Sequence, residues 1–277
     1  MSKKNRPINE IRHADWPFIL VHLFVYIVLM VTVGWVLNGA AEVGGFFLLT
    51  AFLLLVTLFH LYRLRRMESE HLQHKVQAIG EIQKLLPIRA PINPMTGWAA
   101  TPELAITVLR QIILKKPSTI VELGSGVTTV INGYGLEKYN PEGNLYSLDH
   151  DEAYAGVTRQ EIEMHGLSQY VKLTHAPLKD IEVKGQSFHW YDLSQFAPEM
   201  NIDLLIVDGP PVETVEFARY PALPLFHDLL AETCTIIIHD TNRTQETEIV
   251  ERWLREYPDF TASIKHTDKG ISILTRN

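Results

Sequence analysis

The strongest constraint on the fold is an alternation, from Thr101 to the end of the chain, of short apolar segments with longer segments of helical periodicity. Stretches such as LLIV and TIII are apolar throughout, as expected in a parallel sheet that helices cover on both faces. The pattern therefore predicts a doubly wound α/β domain with a mostly parallel sheet of seven strands. Predicted helices are 101–115, 127–138, 152–165, 214–230 and 244–256; predicted strands are 119–122, 144–149, 170–175, 202–208, 234–240, 260–266 and 270–275.

Two apolar runs precede this domain and predict a membrane anchor over residues 1–66. The first, about 17–37, has 21 residues, and about 20 apolar residues in a helix cross a bilayer core of about 30 Å. The second, about 44–61, follows a short polar break, so we expect two transmembrane helices joined as a hairpin in the lipid bilayer. A cleaved signal peptide is the alternative, but its apolar core is shorter, at about 7 to 15 residues.

Basic residues that flank the two runs predict the orientation of this hairpin. Lys and Arg stay on the cytoplasmic side of a membrane protein, and the connecting turn carries only Glu42. We therefore expect a multi-pass protein of the inner (cytoplasmic) membrane, with everything after residue 66 in the cytoplasm. The flanking residues are Lys3, Lys4, Arg6, Arg12, Arg63, Arg65 and Arg66.

Residues 67–97 form a predicted stalk and linker between the anchor and a domain at 98–277. Apolar residues recur at steps of three and four over 67–86, which indicates a helix, and the proline-rich segment PIRAPINPM then ends it. The stripe predicts a helix packed on the domain. A short coiled coil that forms a homodimer is the alternative, although Gly80 and Gln83 interrupt its seam.

Charge and cysteine content exclude several classes of function. Residues 1–66 carry seven Lys/Arg and three Asp/Glu, so the remaining 211 residues hold a net charge of −11 against −7 for the whole chain. An acidic domain without Lys/Arg clusters is not expected to bind nucleic acid. Cys234 is the single cysteine, which excludes an intrachain disulfide and a zinc site built on cysteines.

Polar residues follow the predicted strands at the edge where a doubly wound sheet binds its ligands. The first strand ends in Glu122-Leu-Gly-Ser-Gly, and glycines there allow a ligand to approach the backbone. A dinucleotide fingerprint needs a third glycine or alanine, where this sequence has Thr129. An acid directly before the glycines also disfavours an anionic ligand, so a cationic ligand that contains adenosine fits better.

The segments VELGSG, YSLDHD and IDLLIVDGPP, in this order, resemble class I S-adenosylmethionine-dependent methyltransferases. The resemblance runs from about Trp98 to the C-terminus. It implies S-adenosylmethionine as cofactor, with the glycine loop under its methionine and ribose, Asp149 on the ribose hydroxyls and His150 beside the adenine. The cofactor-binding residues implied are Trp98, Glu122, Gly124, Ser125, Gly126, Asp149, His150, Ala176, Leu178 and Asp208.

The catalytic residues implied are Asp208, His239 and Asp240, which end the fourth and fifth strands of the predicted parallel sheet. This layout resembles the metal-dependent catechol-type O-methyltransferases, in which two such acids and an Asn hold a divalent cation. Thr241 stands where that Asn would be, and its hydroxyl is a ligand for Mg²⁺ or another hard cation. Without a metal, Asp208 or His239 would act as general base on a substrate hydroxyl. A capping role for Asp240 and a core role for His239 are the structural alternatives.

These expectations combine into a membrane-anchored, S-adenosylmethionine-dependent methyltransferase that methylates an oxygen of a small or lipid-linked acceptor. A membrane scaffold that keeps the cofactor pocket without catalysis is the first alternative. An NAD(P)-dependent oxidoreductase is the second, and Thr129 weighs against it. Arg219 and His227 fall eight residues apart on the predicted helix 214–230, near enough to one face to reach a substrate, although solvated positions are favoured for both.

Overall fold

A computed structural model describes residues 24–29, 32, 40–196, 201–212 and 214–276. The chain divides into two compact units, 1–70 and 71–277. Residues 24–29 are helical. The long helix α1 runs from Ala40 to Leu85 and so begins in the first unit and ends in the second. Most of the first predicted transmembrane span, 17–37, lies outside the described residues.

The prediction of a multi-pass membrane protein is wrong, because none of the described helices has the length and apolarity needed to cross a bilayer. In the sequence, Arg63 and two further arginines follow the second apolar run, 44–61. The break expected at 38–43 is helical from Ala40.

The end of α1 packs on the second unit. Ala78, Ile82 and Leu86 are buried in the apolar core of that unit, and Lys75 lies 2.8 Å from Asp268. The stripe predicted over 67–86 therefore contains a buried part, whereas its members Leu72, Val76 and Ile79 are exposed.

The second unit is built on a seven-stranded sheet of order β3-β2-β1-β6-β7-β9-β8. The first five strands in this order run parallel, β9 is antiparallel to β7, and β8 is antiparallel to β9. The predicted α/β fold with a mostly parallel seven-stranded sheet is confirmed. The strands are β1 (Thr119–Leu123), β2 (Asn144–Asp149), β3 (Val171–His175), β6 (Ile202–Val207), β7 (Leu230–His239), β8 (Phe260–Lys265) and β9 (Ile271–Arg276).

Two apolar cores, one on each face, explain why the central strands have no polar face. In β1, Ile120 belongs to one core and Val121 to the other, because successive side chains of a strand point to opposite faces. Thr101 caps the first helix of the domain by accepting a hydrogen bond from the Leu104 amide at 3.2 Å. The covering helices are α2 (Pro102–Lys115), α3 (Val127–Tyr139), α4 (Glu152–Met164) and α6 (Thr244–Glu256).

Two segments differ from the predictions. A separate antiparallel hairpin, β4 (Leu178–Val183) and β5 (Gln186–Tyr191), lies between β3 and β6 in the chain. The helix predicted over 214–230 is reduced to α5 (Ala222–Phe226) and a 3₁₀ turn, His227–Leu229. Pro221 and Pro224 account for this, because proline has no amide hydrogen and interrupts helical hydrogen bonding.

The sheet order places the ligand-binding edge between β1 and β6. The chain order reverses between these neighbours, and ligands of such sheets bind at the carboxyl ends of the strands beside this switch point. The turn after β1 begins at Gly124, and Asp208 directly follows β6.

Candidate active site

The turn after β1 depends on Gly124. Its φ of +96° is unfavourable for other residues, and a Cβ at this position would lie 3.3 Å from backbone atoms of Asp208 and Gly209. Its amide donates a hydrogen bond to the Leu148 carbonyl at 2.8 Å. The loop is therefore pressed against the ends of both β2 and β6, with its backbone at the switch point.

Glu122 lies beneath this loop and is fully buried. Its carboxylate accepts hydrogen bonds from the hydroxyls of Thr129 at 2.5 Å and Ser147 at 2.9 Å. Thr129 in turn accepts from the Gly126 amide at 2.9 Å. Burial raises the pKa of Glu122 to about 7, although these hydrogen bonds act in the opposite direction. Glu122 therefore orders the loop through Thr129 and Gly126.

Thr129, the residue that breaks the dinucleotide fingerprint, thus has a structural role in the loop. It connects the carboxylate of Glu122 to the backbone of Gly126. A third glycine at this position has no side chain to make that connection.

Asp149 ends β2 beside the same loop. Its Oδ2 accepts hydrogen bonds from the amide of Ser125 at 3.0 Å and from its hydroxyl at 2.5 Å. The ring of His150 lies next to it, with Nδ1 3.6 Å from Asp149 Oδ1. The Ala176 amide donates to the Asp149 carbonyl at 2.7 Å, which brings the turn after β3 to the same edge. Four of the predicted cofactor residues are therefore neighbours.

Leu178 and Trp98 take more peripheral positions among the predicted cofactor residues. Leu178 is half-buried at the start of β4. Trp98 is 67% exposed. Its neighbours in the chain are held by Lys269, which donates to the carbonyls of Gly97 at 3.1 Å and Ala99 at 3.3 Å.

Tyr191, at the end of β5, is a site residue that sequence analysis did not select. Its hydroxyl is buried with no hydrogen-bond partner among the described residues, and a Cβ on Gly209 would collide with it. Burial and then the charge of Asp149 raise the pKa of Tyr191, so the hydroxyl stays neutral. The hairpin therefore brings this hydroxyl to the junction of β1 and β6. The sequence of its segment, 189–192, was consistent both with the lining of a substrate mouth and with plain aromatic packing.

Asp208, His239 and Thr101 form a chain of contacts across the ends of β6 and β7. The Nδ1 of His239 lies 2.8 Å from Asp208 Oδ1, and its Nε2 lies 3.2 Å from the Thr101 hydroxyl. His239 is 1% exposed, whereas the Asp208 side chain is 14% exposed. Both imidazole nitrogens are therefore engaged inside the protein, and Asp208 is the most exposed of the three residues. This placement differs from the expectation of His239 as a general base.

Arg219 connects the ends of β6 and β7. Its guanidinium donates to the carbonyls of His239 at 2.8 Å and Asp208 at 3.1 Å, and to Asp240 Oδ2 at 2.9 Å. The side chain is only 4% exposed. The sequence favoured a solvated position for Arg219 over one that reaches a substrate, and the structure buries it instead. The available signal in the sequence was an arginine a short distance after Asp208, the acid that ends the predicted strand 202–208.

The electrostatic balance of this cluster keeps Asp208 ionised. Burial acts to raise the pKa of Asp208, but His239, Arg219 and Lys269 outweigh it, so that the pKa lies below its ordinary value. Arg243 adds a second guanidinium, 3.2 Å from Asp240 Oδ2. Both carboxylates therefore face positively charged or hydrogen-bond donating side chains.

The predicted metal ligands do come together, but their surroundings do not fit a divalent cation. Ligand atoms of Asp208, His239 and Asp240 lie within 4.8 Å of one another. The Asp240 oxygen is held by two guanidinium groups, which would repel a cation bound there. The Thr241 hydroxyl is buried and unpartnered within the described part of the chain. The asparagine that follows Thr241, Asn242, donates to the carbonyls of residues 267 and 268, at 2.9 Å each.

Comparisons with known proteins agree with this fold. Residues 121–241 match a family model described as a methyltransferase domain, which confirms the prediction of a methyltransferase. A crystal structure assigned as an O-methyltransferase from Klebsiella pneumoniae superposes with a TM-score of 0.53 at 15% identity, covering 75% of this chain and 99% of that one. An O-methyltransferase from Bacillus cereus, solved in complex with SAH, gives a TM-score of 0.52 at 14% identity, covering 73% and 91%. No match was found among curated proteins.

Proposed function

We propose that the chain is a methyltransferase that takes its methyl group from S-adenosylmethionine and acts on an oxygen acceptor. The observation that carries the proposal is the arrangement at the β1/β6 junction. There the glycine loop, the carboxylate of Asp149 and the ionised Asp208 lie along one edge of the sheet, within the part of the chain that matches the methyltransferase family model. The two superposed structures, one of them solved with SAH, support this choice.

Asp149 and Ser125 are the residues that would hold the ribose. A carboxylate accepts hydrogen bonds only, and its two oxygens offer about four acceptor positions. The Ser125 hydroxyl now donates to Asp149 Oδ2 at 2.5 Å, which shows that this oxygen accepts from a hydroxyl at this location. A ribose diol offers two donors of the same kind. Bound S-adenosylmethionine supplies an electrophilic methyl group on a cationic sulfonium, for which an acidic site is suitable.

Asp208 is the residue that would meet the acceptor. Its Oδ1 lies against His239 and Arg219, which leaves the other oxygen to accept a hydrogen bond from the acceptor hydroxyl and to take its proton. A carboxylate with a lowered pKa is a weak base. It is therefore better matched to a phenol, whose pKa is about 10 like that of tyrosine, than to a less acidic aliphatic alcohol. His239 acts in this scheme as a positioning residue.

The remaining parts of the proposal concern organisation and partners. We place the catalytic domain at 98–277, preceded by the 67–97 segment, and we expect a small-molecule acceptor and no nucleic acid. The expectation of a lipid-linked acceptor depended on the membrane anchor and loses its support with it. The exposed stripe of Leu72, Val76 and Ile79 is the surface on which a homodimer through 67–86 would form.

Titration calorimetry of the full chain with S-adenosylhomocysteine and with NADPH tests the cofactor assignment. S-adenosylhomocysteine should bind, and Asp149→Ala should weaken its binding by about 5- to 150-fold, the effect of losing charge-assisted hydrogen bonds worth about 1–3 kcal/mol. Asp180→Ala, which removes an exposed acid of the β4–β5 hairpin, is the matched control and should leave affinity unchanged. Binding of NADPH in place of S-adenosylhomocysteine would contradict the proposal.

Methyl transfer is tested by incubating the protein with S-adenosylmethionine and a panel of simple phenols, while S-adenosylhomocysteine release is measured. Turnover with a phenol, and its loss in Asp208→Asn, is the expected result. Cofactor binding without release across phenols, aliphatic alcohols and carboxylic acids would favour the inactive scaffold.

A further inference from the structure

Two carboxylates at neighbouring strand ends need a positive charge between them. Asp208 and Asp240 follow the adjacent parallel strands β6 and β7, and with His239 they place three ligand atoms within 4.8 Å of one another. Asp240 is buried, and the Asp208 side chain is mostly so. Buried acids this close repel each other unless a cation pairs with both.

Arg219 is built into the position between them. Its Nη2 lies 2.9 Å from Asp240 Oδ2 and 3.6 Å from Asp208 Oδ1. The same guanidinium donates to the backbone carbonyls of Asp208 and His239, so that it contacts both strands through side chain and backbone. Because Arg219 is buried and bound on several sides, its departure would leave two acids without their counter-charge.

A guanidinium differs from a metal ion in what it offers the reaction. It cannot be exchanged or removed by a chelator, and its planar donors fix the carboxylates in one orientation. Arg243 contacts the same oxygen of Asp240 from the surface side, at 3.2 Å. The two guanidinium groups would therefore repel a divalent cation that entered this cluster.

We propose that Arg219 replaces the divalent cation at this site, and that it is a positioning residue that makes the protein independent of metal. The purpose assigned to the site depends on the proposed function, but the binding property does not. The structure connects the acids to Arg219 whatever the acceptor is. The inference can therefore be tested without cofactor or acceptor, so that its failure is distinguishable from failure of the methyltransferase proposal.

Electron paramagnetic resonance of Mn²⁺ added to the full chain provides the test, because the signal of free Mn²⁺ falls when the ion binds. The wild-type protein should leave the free signal unchanged. Arg219→Gln removes the positive charge and keeps much of the volume. It should bind Mn²⁺ at least about tenfold more tightly than wild type, because a like charge next to the ion is gone. The double variant Arg219→Gln/Asp240→Asn should lose this binding again.

Arg276→Gln is the matched control. It removes an arginine that is paired with a carboxylate elsewhere, 2.7 Å from Asp259, and should show the wild-type signal. Two results would overturn the inference. One is stoichiometric Mn²⁺ binding by the wild-type protein that Asp240→Asn abolishes, and the other is a folded Arg219→Gln variant that binds no Mn²⁺. Should Arg219→Gln fail to fold, the wild-type titration still decides.

Discussion

Replacing Glu122 with glutamine should remove a pH-dependent loss of stability. The carboxyl group is fully buried, and burial raises its pKa from the model-peptide value of 4.5 to about 7. Glutamine keeps an oxygen that can accept from Thr129 and Ser147. Asn132 Nδ2 donates to the other carboxylate oxygen, Glu122 Oε1, at 3.4 Å. When the glutamine NH₂ takes that position, rotation of the Asn132 amide presents its Oδ1, which is buried without a partner in the described structure, as the acceptor. The substitution therefore preserves the packing and deletes the ionisation.

The sign follows from proton linkage. A buried acid with a raised pKa binds its proton more tightly in the folded state, so its stabilising contribution is complete below pH 4.5 and is lost as the pH rises to about 7. With these two values, wild-type protein should lose about 2 kcal/mol of unfolding free energy from this group between pH about 5.5 and about 8. The Glu122→Gln variant should not, and should become the relatively more stable protein at the higher pH.

Urea unfolding of both proteins at the two pH values measures this difference. Glu182→Gln, which neutralises an exposed acid of β4, is the control and should follow wild type at both. The reasoning is refuted if the difference in unfolding free energy between Glu122→Gln and wild type stays constant with pH. That result would mean that the hydrogen bonds to Glu122 compensate its burial completely.

Two further substitutions test side chains at the carboxyl ends of the central strands. Tyr191→Phe removes a buried hydroxyl that has no partner among the residues that the structure describes. It should raise the stability of the ligand-free protein by about 1 kcal/mol in urea unfolding and weaken S-adenosylhomocysteine binding several-fold in calorimetry; unchanged affinity would exclude a ligand contact. His239→Gln removes the group that most strongly opposes the effect of burial on the Asp208 pKa. The pKa should rise, so the acidic limb of the pH–rate profile for methylation of a phenol acceptor should move to higher pH. An unmoved limb would separate Asp208 from proton transfer.

The sheet was predictable because its determinants are local or periodic. Strands buried on both faces must be apolar at every position, and stretches such as Ile202–Val207 show this directly. The cap at Thr101 needs only neighbouring residues, and the positive φ of Gly124 is a local property of the turn, although the close approach of Asp208 and Gly209 to it is not. Asp149, Asp208 and Asp240 could be placed at one edge because the carboxyl ends of parallel strands meet there.

The membrane prediction from hydropathy was wrong, and the helix over 214–230 was wrong for a local reason. An apolar run indicates a helix with many apolar side chains, but it does not indicate whether lipid or protein surrounds them. In 214–230, helical periodicity competed with Pro221 and Pro224, and the prolines prevailed. The β4–β5 hairpin lies on a separate small sheet, so its strands lacked the apolar pattern of the core.

The sequence by itself determined the class of fold, the cofactor edge and the identity of the acids along it, because these follow from periodicity and from the order of the elements. Only the tertiary structure decided which of those side chains are accessible at that edge and which are enclosed in the protein. It turned Glu122 inward to the loop, enclosed His239 between Asp208 and Thr101, and brought Tyr191 and Arg219 to the junction from irregular or separate segments. The physical reason is that the direction and charge partners of a side chain at a strand end are set by residues distant in the chain, and no local pattern encodes them.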